Sequence, residues 1–598
     1  MIKRYIDILA LHKLNVFHWH LTDDQGWRIE IKKYPKLTAI GAWRKDRRYE
    51  TWNITTEQRT EYNPSKPLYG GFYTQEEIKE IVKYAQERNI TIIPEIEMPG
   101  HSMAALVAYP EYSCFGNDKE VPSGGYVAEN WDFSAPYCAG NDETFEFLQN
   151  ILDEVIELFP SKYIHIGGDE CSKAMWTKCP KCQARIKNKG LKNEAELQSY
   201  FIQRIEKYLN SKGKRIIGWE EILEGGIGPS ATIMPWKKES ATDVCVQAAK
   251  SGHQIIMATS EYFYFNNQWP GEKKIHPHDL SLEKVYSNDP VPQELKRREK
   301  SPVIGVEACA WSEYMITFRD VMHQTLPRMA ALAEIAWSDP RTKDFNEFNI
   351  RLDALKALYN SFGLHYHVPV PTGISKKTVF TGQTEINVLP PEEGLILRYT
   401  TDGSEPAPDS KILNNKLLIT NTTVLKIASF DKYGQRSNVK TGIFEKQDFR
   451  PPDTTKAGQT GVKYRLISGT FRSADEVEGK PSATGILETI TPVKVEKEGG
   501  YGILYNGYIL APAKGIYTFY LSSNDGSILK IGNKTVVNND GFHGDSIEEP
   551  GQIALDEGLH SFTLKYFKWN SGTGSVKLSV KYPGKEKQEA DKSFFKLN

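Results

Sequence analysis

Several features that would point to a particular class of protein are missing from this 598-residue sequence. No apolar run approaches the ~20 residues that a helix needs to cross a bilayer, so we expect no membrane span. Lys and Arg total 75 against 76 Asp and Glu, and this balance gives no electrostatic reason to expect nucleic acid as a partner. The opening residues, MIKRYIDILALHKLN, form an amphipathic helical pattern, so no signal peptide is expected in this chain.

Cysteine is also scarce. Seven cysteines are spread over the chain, an odd number that excludes a disulfide-based scaffold. Cys179 and Cys182 form a C-x-x-C pair, but no second ligand pair is evident, so ordinary thiols are favoured over a zinc site. Cys114 and Cys138 could pair in an oxidising compartment, and the sequence leaves that open. We expect neither a metal nor a cofactor.

The first 365 residues alternate short apolar strands with amphipathic helical patterns. The strand candidates are residues 15–21, 91–98, 163–168, 215–219, 231–236, 254–259 and 303–311. The helical candidates include residues 75–88, 144–159, 194–212, 242–251 and 319–337. Apolar strands alternating with helices indicate a parallel sheet covered on both faces. Nearly every strand ends in polar or aromatic side chains, which is typical of a (β/α)8 TIM barrel.

Only seven strand candidates are present, and the chain begins with a helix. A barrel with one strand position open would expose two sheet edges. Either one strand is hidden in the pattern or the first strand lies upstream of Met1, and we favour the second. The expected fold class is therefore α/β, a (β/α)8 TIM barrel with its first strand missing, followed by two all-β sandwich domains.

The pattern of predicted secondary structure changes after residue 365. Pro369 and Pro371 mark a boundary, and short strands with turns such as TTDGSEP indicate a small β-sandwich over 370–445. Residues 446–459 are rich in Pro, Thr and Asp, as in a linker. Residues 460–595 show two-residue alternation broken by turns, which indicates a second β-sandwich. The expected domains are therefore 1–365, 370–445 and 460–595.

The octet YIHIGGDE, residues 163–170, carries the strongest chemical signal. An apolar strand runs into two glycines and two acids, which places Asp169 and Glu170 at the mouth of a barrel. The structural alternative is that Asp169 caps a helix and Glu170 is solvated.

Adjacent acids would constrain the reaction. Two-carboxylate glycosidases hold their groups on opposite sides of the scissile bond, and neighbours in sequence are poorly placed for that. One acid would be the general acid, which calls for a raised pKa. The nucleophile could come from the substrate, since a 2-acetamido carbonyl oxygen can attack the anomeric carbon and form an oxazolinium ion.

Two further segments carry dense polar chemistry. HWHLTDDQGWR, residues 18–28, follows a strand; His18 and His20 share one strand face, but no third metal ligand is evident, so a polar network at a pocket rim is favoured. PEIEMPGH places His101 just past another strand, where it could pair with Asp23. The alternative for His101 is a helix-start or core histidine.

Six motifs, HWHLTDDQGWR, PEIEMPGHSMAAL, HIGGDE, GWEEIL, MPWK and WSE, occur in the order typical of glycoside hydrolase family 20, the β-N-acetylhexosaminidases. The resemblance covers residues 1 to about 365. It implies that Asp169 orients the acetamido group, that Glu170 is the general acid/base, and that Asp23 and His101 support the acid. The substrate-binding residues that it implies are Trp219, Trp236, Tyr264, Trp311, Glu313 and Asn266.

In that family the three tryptophans form an acetamido pocket, with the one matching Trp311 stacked under the sugar. Tyr264 resembles the tyrosine that hydrogen-bonds the acetamido oxygen, and Glu313 resembles the acid that grips sugar hydroxyls. Two departures stand out. The family's first-strand arginine, which binds a sugar hydroxyl, has no counterpart in this sequence, and Asn266 stands where an aspartate is common, so substrate affinity or choice could differ.

The C-terminal regions carry weaker resemblances. Residues 370–445 are similar to the small β-domains that follow many bacterial family-20 barrels. Residues 460–595, including GIYTFYLSSNDGSILKIGN, resemble protective-antigen-type β-sandwiches. Their sugar-binding members use paired aspartates to hold calcium, and the pair here is Asn524-Asp525, so a spacer is favoured over a lectin, with contact to polysaccharide as an alternative.

The leading hypothesis is an exo-acting, retaining hydrolase that removes terminal β-linked GlcNAc or GalNAc from N-acetylated glycans. One alternative is an impaired barrel that acts as a carbohydrate-binding protein. Another is a family member with a different amino-sugar substrate, such as a disaccharide or sulfated GlcNAc. The domain set implies an exported bacterial enzyme, periplasmic or at the cell surface.

Overall fold

A computed structural model describes residues 1–45, 68–116, 120–122, 135–272, 278–296, 301–312, 315–414, 416–456, 458–493, 499–543, 546–570, 572 and 574–597. The chain divides into two compact units, Met1–His367 and Val368–Asn598. In the described ranges, no helix combines the length and the apolar character needed to cross a membrane.

The first unit is built on a parallel sheet whose seven described strands follow one another in chain order. The strands are β1 (Val16–His20), β2 (Thr91–Glu95), β3 (Tyr163–His165), β4 (Arg215–Trp219), β5 (Thr232–Met234), β6 (Gln254–Met257) and β7 (Val303–Val306). All seven strand predictions are confirmed, although most end two to five residues earlier than the apolar pattern. Because the strands are parallel, their carboxyl ends meet at one edge, and that edge carries the polar residues.

Helices alternate with these strands. The described helices of the unit are Ile2–Leu11, Lys36–Ala39, Gln75–Gln86, Met103–Ala108, Asp142–Leu158, Ala174–Lys178, Pro180–Lys189, Glu194–Ser211, Ala241–Lys250, Ser260–Phe263, Leu282–Ser287, Phe318–Thr325, Arg328–Trp337 and Phe345–Ser361. Local signals fix several helix starts: Thr74 and Glu77 form a capping box before Gln75–Gln86, for example.

The prediction of a single helix over residues 319–337 is wrong. The structure has two helices in this region, Phe318–Thr325 and Arg328–Trp337, separated by Leu326 and Pro327. Proline has no backbone N–H and its ring clashes with the preceding turn, so the helix cannot continue through Pro327. The helical spacing of apolar residues nevertheless runs on across this break.

Side chains from several strands of the sheet pack together in one buried cluster. Ile93, Ile217, Trp219, Met234 and Cys309 are buried together, and aromatic rings pack on them toward the carboxyl-end edge. The interior is therefore a packed core at one level and an aromatic-lined site at the next.

The second unit is all-β, with two successive groups of sheets. The first group has a five-stranded and a two-stranded sheet, built from Lys377–Phe380, Thr384–Asn387, Ile396–Thr400, Lys411–Ile412, Lys416–Ile419, Thr423–Phe430 and Lys440–Lys446. The second has a seven-stranded and a four-stranded sheet, built from Val462–Ser468, Ala483–Leu487, Tyr501–Ala511, Gly515–Ser523, Ser527–Ile531, Lys534–Asn539, Ile547–Leu555, Gly558–Lys568, Val576–Tyr582, Lys585–Glu589 and Phe595–Lys596.

The segment between the two groups differs from the loose linker that its composition indicates. The Arg450 N–H donates to the carbonyl of Ala554 at 3.0 Å, and Asp453 accepts from the backbone N–H of Ser561 at 2.6 Å. Arg450 and Asp453 also form an ion pair at 2.6 Å. The polar residues that resemble a linker in composition are therefore hydrogen-bonding groups that fasten the segment to the second group.

Candidate active site

The turn after β3 brings two acids to the carboxyl-end edge of the sheet. The strand ends at His165, and Gly167, Gly168 and Glu170 then adopt positive φ angles of 66°, 97° and 43°. Glycine takes such angles at little cost, whereas a residue with a side chain is strained there. The strain at Glu170 lies at the residue predicted to act as general acid.

Space is also limited at Gly167, because a side chain there would displace the carboxyl group of Glu97. A Cβ at this position would lie 1.6 Å from Oε2 of Glu97, which is itself buried. The glycine therefore lets the turn pass directly over a buried carboxyl group.

We expect Gly167→Ala to lower the free energy of unfolding by roughly 2–5 kcal/mol, because the left-handed backbone and the clash both cost energy. Gly226→Ala is the matched control, since Gly226 has φ 93° but no atom within 4 Å of an added Cβ. It should cost roughly 1–2 kcal/mol for the backbone alone. Chemical denaturation measures both, and equal losses in the two variants would refute the proposed clash.

His101 contacts both acids. Its Nε2 is 3.5 Å from Oδ2 of Asp169 and 3.5 Å from Oε2 of Glu170. Its Nδ1 faces Asp23 Oδ1 at 3.3 Å and Asp24 Oδ2 at 3.2 Å. The structure therefore brings together the four residues predicted to form the catalytic pair and its support, and adds Asp24.

The electrostatics of this group follow from burial and charge. Burial raises the pKa of Asp169 to about 8; the His101 cation opposes this, while Glu221, Glu95 and Glu170 reinforce it. Burial alone would lower the pKa of His101, but Asp169 and Asp23 outweigh it and hold the pKa well above its usual value. His101 is therefore a cation at neutral pH. A separate feature of the site is that Asp169 Oδ1 has no hydrogen-bond partner in the described part of the chain.

Replacing His101 with glutamine should shift the pH profile. The variant loses the positive charge that lowers the pKa of Asp169, so that pKa rises further. If catalysis needs ionised Asp169, the rising limb of kcat/KM against pH moves to higher pH. Initial rates on an aryl β-N-acetylglucosaminide across the pH range measure this, and a limb that stays in place or moves to lower pH would exclude the assigned roles.

Glu95 is the centre of a histidine network beneath the acids that the sequence analysis did not single out. Its carboxylate contacts His20 Nδ1, His18 Nε2 at 3.3 Å and His165 Nδ1 at 2.8 Å, and it accepts from Trp219 Nε1 at 2.9 Å. Although burial raises its pKa, the three histidines lower the pKa well below the usual value.

The same network holds His20 in its charged form. Burial alone would lower the pKa of His20, but Glu95 and Asp23 raise it to about 10. His20 Nε2 lies 3.0 Å from Asp23 Oδ2, so the network continues from Glu95 to Asp23 and then to His101. The predicted polar network around His18 and His20 is present, and its central residue, Glu95, belongs to the PEIEMPGH segment.

The aromatic residues named from the sequence lie together. Trp236 and Tyr264 stack with ring centroids 6.1 Å apart, Trp311 lies 6.0 Å from Tyr264, and Trp219 lies 6.2 Å from Trp311. The Trp236 indole N–H donates to Glu221 Oε2 at 3.1 Å, which fixes the ring. Burial raises the pKa of Tyr264 well above its usual value, so its hydroxyl stays a hydrogen-bond donor.

Asn266 follows Tyr264 on a loop held by a buried arginine. The Arg328 guanidinium donates to the carbonyls of Phe265 and Asn267 at 3.0 and 2.8 Å and packs on the ring of Trp269. Asn266 is buried, and its Oδ1 has no hydrogen-bond partner among the described residues. Glu313, the remaining predicted sugar-binding residue, lies outside the described residues.

The cysteines differ from the expectation that Cys179 and Cys182 have no second ligand pair. The fold brings Cys114 and Cys138 to them: Cys114 and Cys182 have their Sγ atoms 3.8 Å apart, as do Cys138 and Cys179. All four are free thiols in the structure, so the possible Cys114–Cys138 disulfide is not formed there. Sequence spacing could not show this because the pairs come from loops after different strands.

The Asn524-Asp525 pair of the second unit is hydrogen-bonded to neighbouring groups of the same domain. Asp525 is buried, and its Oδ2 accepts from Lys568 Nζ at 2.8 Å and from the Trp569 N–H at 3.2 Å. Asn524 Oδ1 accepts from the Tyr566 hydroxyl at 2.8 Å and from the Ser575 N–H at 2.6 Å. A lysine ammonium thus takes the place beside Asp525 that a bound cation would need.

Comparison with known proteins identifies the first unit. The model of the glycosyl hydrolase family 20 catalytic domain matches residues 1–340. The β-hexosaminidase of Porphyromonas gingivalis is 37% identical over 575 residues, which cover 94% of this chain and 70% of that protein. The chain belongs to glycosyl hydrolase family 20. The suspected resemblance is confirmed, and so is the α/β class with a TIM-barrel-type sheet followed by β-rich domains.

Other family 20 proteins agree. A β-hexosaminidase of Vibrio furnissii is 38% identical over 340 residues, 56% of this chain and 53% of that protein. The crystal structure of the β-N-acetylhexosaminidase of Bacteroides fragilis matches with a TM-score of 0.51 and 36% identity over 61% of this chain and 68% of that one. A Vibrio harveyi exo-β-N-acetylglucosaminidase, solved with N-acetylglucosamine, matches with a TM-score of 0.52 and 32% identity over 62% and 56%.

The second unit matches two further families. The chitobiase/β-hexosaminidase C-terminal domain matches residues 376–441, and the PA14 domain, the protective-antigen type, matches residues 492–593. These matches fall within the two groups of sheets described above.

Proposed function

We propose that this glycoside hydrolase is an exo-β-N-acetylhexosaminidase that removes terminal, non-reducing β-linked GlcNAc or GalNAc with help from the substrate's own acetamido group. One observation carries the proposal: Asp169 and Glu170 each lie 3.5 Å from the same nitrogen of His101. Two carboxyl groups that converge on one nitrogen are poorly placed to lie on opposite faces of a sugar ring, as two-carboxylate catalysis requires.

The nucleophile then has to come from the substrate. In the first step the acetamido carbonyl oxygen bonds to the anomeric carbon while the glycosidic C–O bond breaks and Glu170 gives its proton to the leaving oxygen. Positive charge spreads onto the acetamido group as the oxazolinium ion forms. Asp169, whose Oδ1 is unpartnered in the described structure, accepts the acetamido N–H and stabilises that charge.

In the second step Glu170 changes from general acid to general base. Glu170, now ionised, takes a proton from a water that attacks the anomeric carbon, and the oxazolinium ring opens. Two displacements at the same carbon give net retention of configuration. His101 stays charged throughout, and hydrogen bonding from the bound N–H favours the ionised form of Asp169 against the effect of burial.

The aromatic residues supply binding. Trp311 offers a flat face for the sugar, while Trp219 and Trp236 enclose the acetamido methyl. The Tyr264 hydroxyl donates to the acetamido oxygen and so holds it toward the anomeric carbon. Asn266 offers an amide to a sugar hydroxyl, a neutral contact where an acid would give a charged one.

For the C-terminal PA14-type domain we propose a spacer role with at most weak polysaccharide contact, because Lys568 neutralises Asp525. Affinity electrophoresis in chitin-derived glycans, with and without calcium, tests this; calcium-dependent retardation would contradict it. We also propose that the enzyme is exported to the periplasm or cell surface, which fractionation of the native host tests.

The activity itself is tested by release of p-nitrophenol from the β-N-acetylglucosaminide. We expect turnover by the wild-type chain and competitive inhibition by a GlcNAc-thiazoline, which mimics the oxazolinium ion. A folded chain that binds the thiazoline but turns over no substrate, or that turns over substrate without being inhibited, would contradict the proposal.

A further inference from the structure

Four cysteine sulfurs that the proposed mechanism does not use form a compact cluster. Cys114 contacts Cys182, and Cys138 contacts both Cys179 and Cys182, each at an Sγ–Sγ distance of 3.8 Å. All four sulfurs lie within 4.8 Å of one another. Cys114 is half-buried and the other three are buried.

The spacing fits a metal better than disulfides. A disulfide holds two sulfurs about 2.05 Å apart and leaves other sulfurs distant. A tetrahedron of thiolates at Zn–S distances of about 2.3 Å places its sulfurs about 3.8 Å apart. Cys138 stands at that distance from two sulfurs at once, and so does Cys182, which is the pattern of a shared centre and not of pairs.

The backbone around the cluster is built for close approach. A Cβ at Gly140 would lie 2.2 Å from the carbonyl carbon of Lys181 and 2.4 Å from the N atom of Cys182, so the two cysteine-bearing turns touch backbone to backbone.

A helix contributes as well. Cys179 is the N-cap and Cys182 lies in the first turn of the helix Pro180–Lys189. The positive end of the helix dipole stabilises negative sulfur, and the C-x-x-C spacing lets one turn supply two ligands.

We propose that Cys114, Cys138, Cys179 and Cys182 bind one structural zinc ion as four thiolates. Four protein ligands fill the tetrahedron, which leaves no open position for a substrate or water, so the ion's role is structural. Cysteine thiolates are the ligands that select zinc over harder cations such as magnesium or calcium.

The ion would tie together the loops that carry the catalytic groups. Cys138 belongs to a segment in which Tyr137 N–H donates to the carbonyl of Pro99 at 2.9 Å, two residues before His101. Cys179 and Cys182 follow Glu170 by 9 and 12 residues. In the same segment, Trp176 Nε1 donates to the Tyr137 carbonyl at 3.0 Å. Zinc would therefore fix the loop after β2 against the loop after β3.

Metal content of the full chain tests this. The protein is purified under reducing conditions, equilibrated with zinc chloride, desalted and measured by inductively coupled plasma mass spectrometry; about one zinc per chain is expected. Cys179→Ser should retain less than about a tenth of it. Cys245→Ser, which alters a buried thiol outside the cluster, should keep the wild-type content.

Cobalt replacement makes the test independent of how the variants fold. Wild-type chain loaded with Co²⁺ should show the intense visible bands and the near-ultraviolet thiolate charge transfer of a tetrahedral four-sulfur site. Absence of zinc and cobalt from the folded, reduced chain would overturn the proposal. So would iron in place of zinc, or a disulfide among the four cysteines found by peptide mapping.

Discussion

Glu170→Gln lowers kcat on p-nitrophenyl β-N-acetylglucosaminide by about 10²–10⁴-fold, the usual contribution of a general acid. The amide keeps the shape of the side chain but has no proton to give to the leaving oxygen and cannot take one from water. His101 Nε2 still has Asp169 as a partner at 3.5 Å, so we expect the variant to fold. Steady-state kinetics with circular dichroism as a folding check measure the effect.

The leaving group separates this role from a structural one. A dinitrophenyl leaving group departs without protonation, so the variant should lose much less in the first step on that substrate than on the methylumbelliferyl or natural glycoside. An equal loss on every leaving group would mean that Glu170 does not act as the acid.

Asp169→Asn is expected to lower kcat/KM by about 10²–10³-fold, as removal of one preorganised electrostatic group does. Asparagine cannot place a negative charge beside the oxazolinium ion. Burial already raises the pKa of Asp169, so the free energy of unfolding should stay the same or increase when the buried acid becomes a neutral amide. Kinetics and thermal unfolding of the same preparation measure both.

The loss of activity on substrates with different leaving groups also distinguishes the role of Asp169 from that of Glu170. Asp169 acts on ring closure by the acetamido group, so Asp169→Asn should lose similar factors on dinitrophenyl and methylumbelliferyl substrates, unlike Glu170→Gln. A leaving-group dependence as steep as that of Glu170→Gln would show that the two carboxyls have been assigned the wrong roles.

The seven strands and their order could be predicted from sequence because each is a short apolar run between helical patterns. The ends could not. In TIIPEIEM the apolar pattern runs to Met98, whereas the regular strand ends at Glu95. Beyond it, the Ile96 and Met98 N–H groups still donate to the carbonyls of His165 and Ile166 at 3.0 Å. The pattern records burial, and burial continues beyond the strand in a lined pocket.

The candidate site likewise contains some residues that could be predicted from the sequence and others that could not. Asp169, Glu170 and His101 stand at strand ends beside glycines, a signal visible in one sequence. Glu95 carried no such signal, because one glutamate within an apolar strand does not reveal that His18, His20 and His165 converge on it. The four cysteines were missed because contacts between loops of different strands depend on the tertiary fold and not on spacing along the chain.

The most direct test of substrate-assisted catalysis replaces the acetyl group of p-nitrophenyl β-N-acetylglucosaminide with its mono-, di- and trifluoro derivatives. Each fluorine makes the carbonyl oxygen a poorer nucleophile without altering the leaving group. If that oxygen attacks the anomeric carbon, kcat/KM of the wild-type chain falls steeply and steadily along the series. A kcat/KM that stays constant along the series would mean that a group of the enzyme is the nucleophile, and would contradict the roles assigned to Asp169 and Glu170.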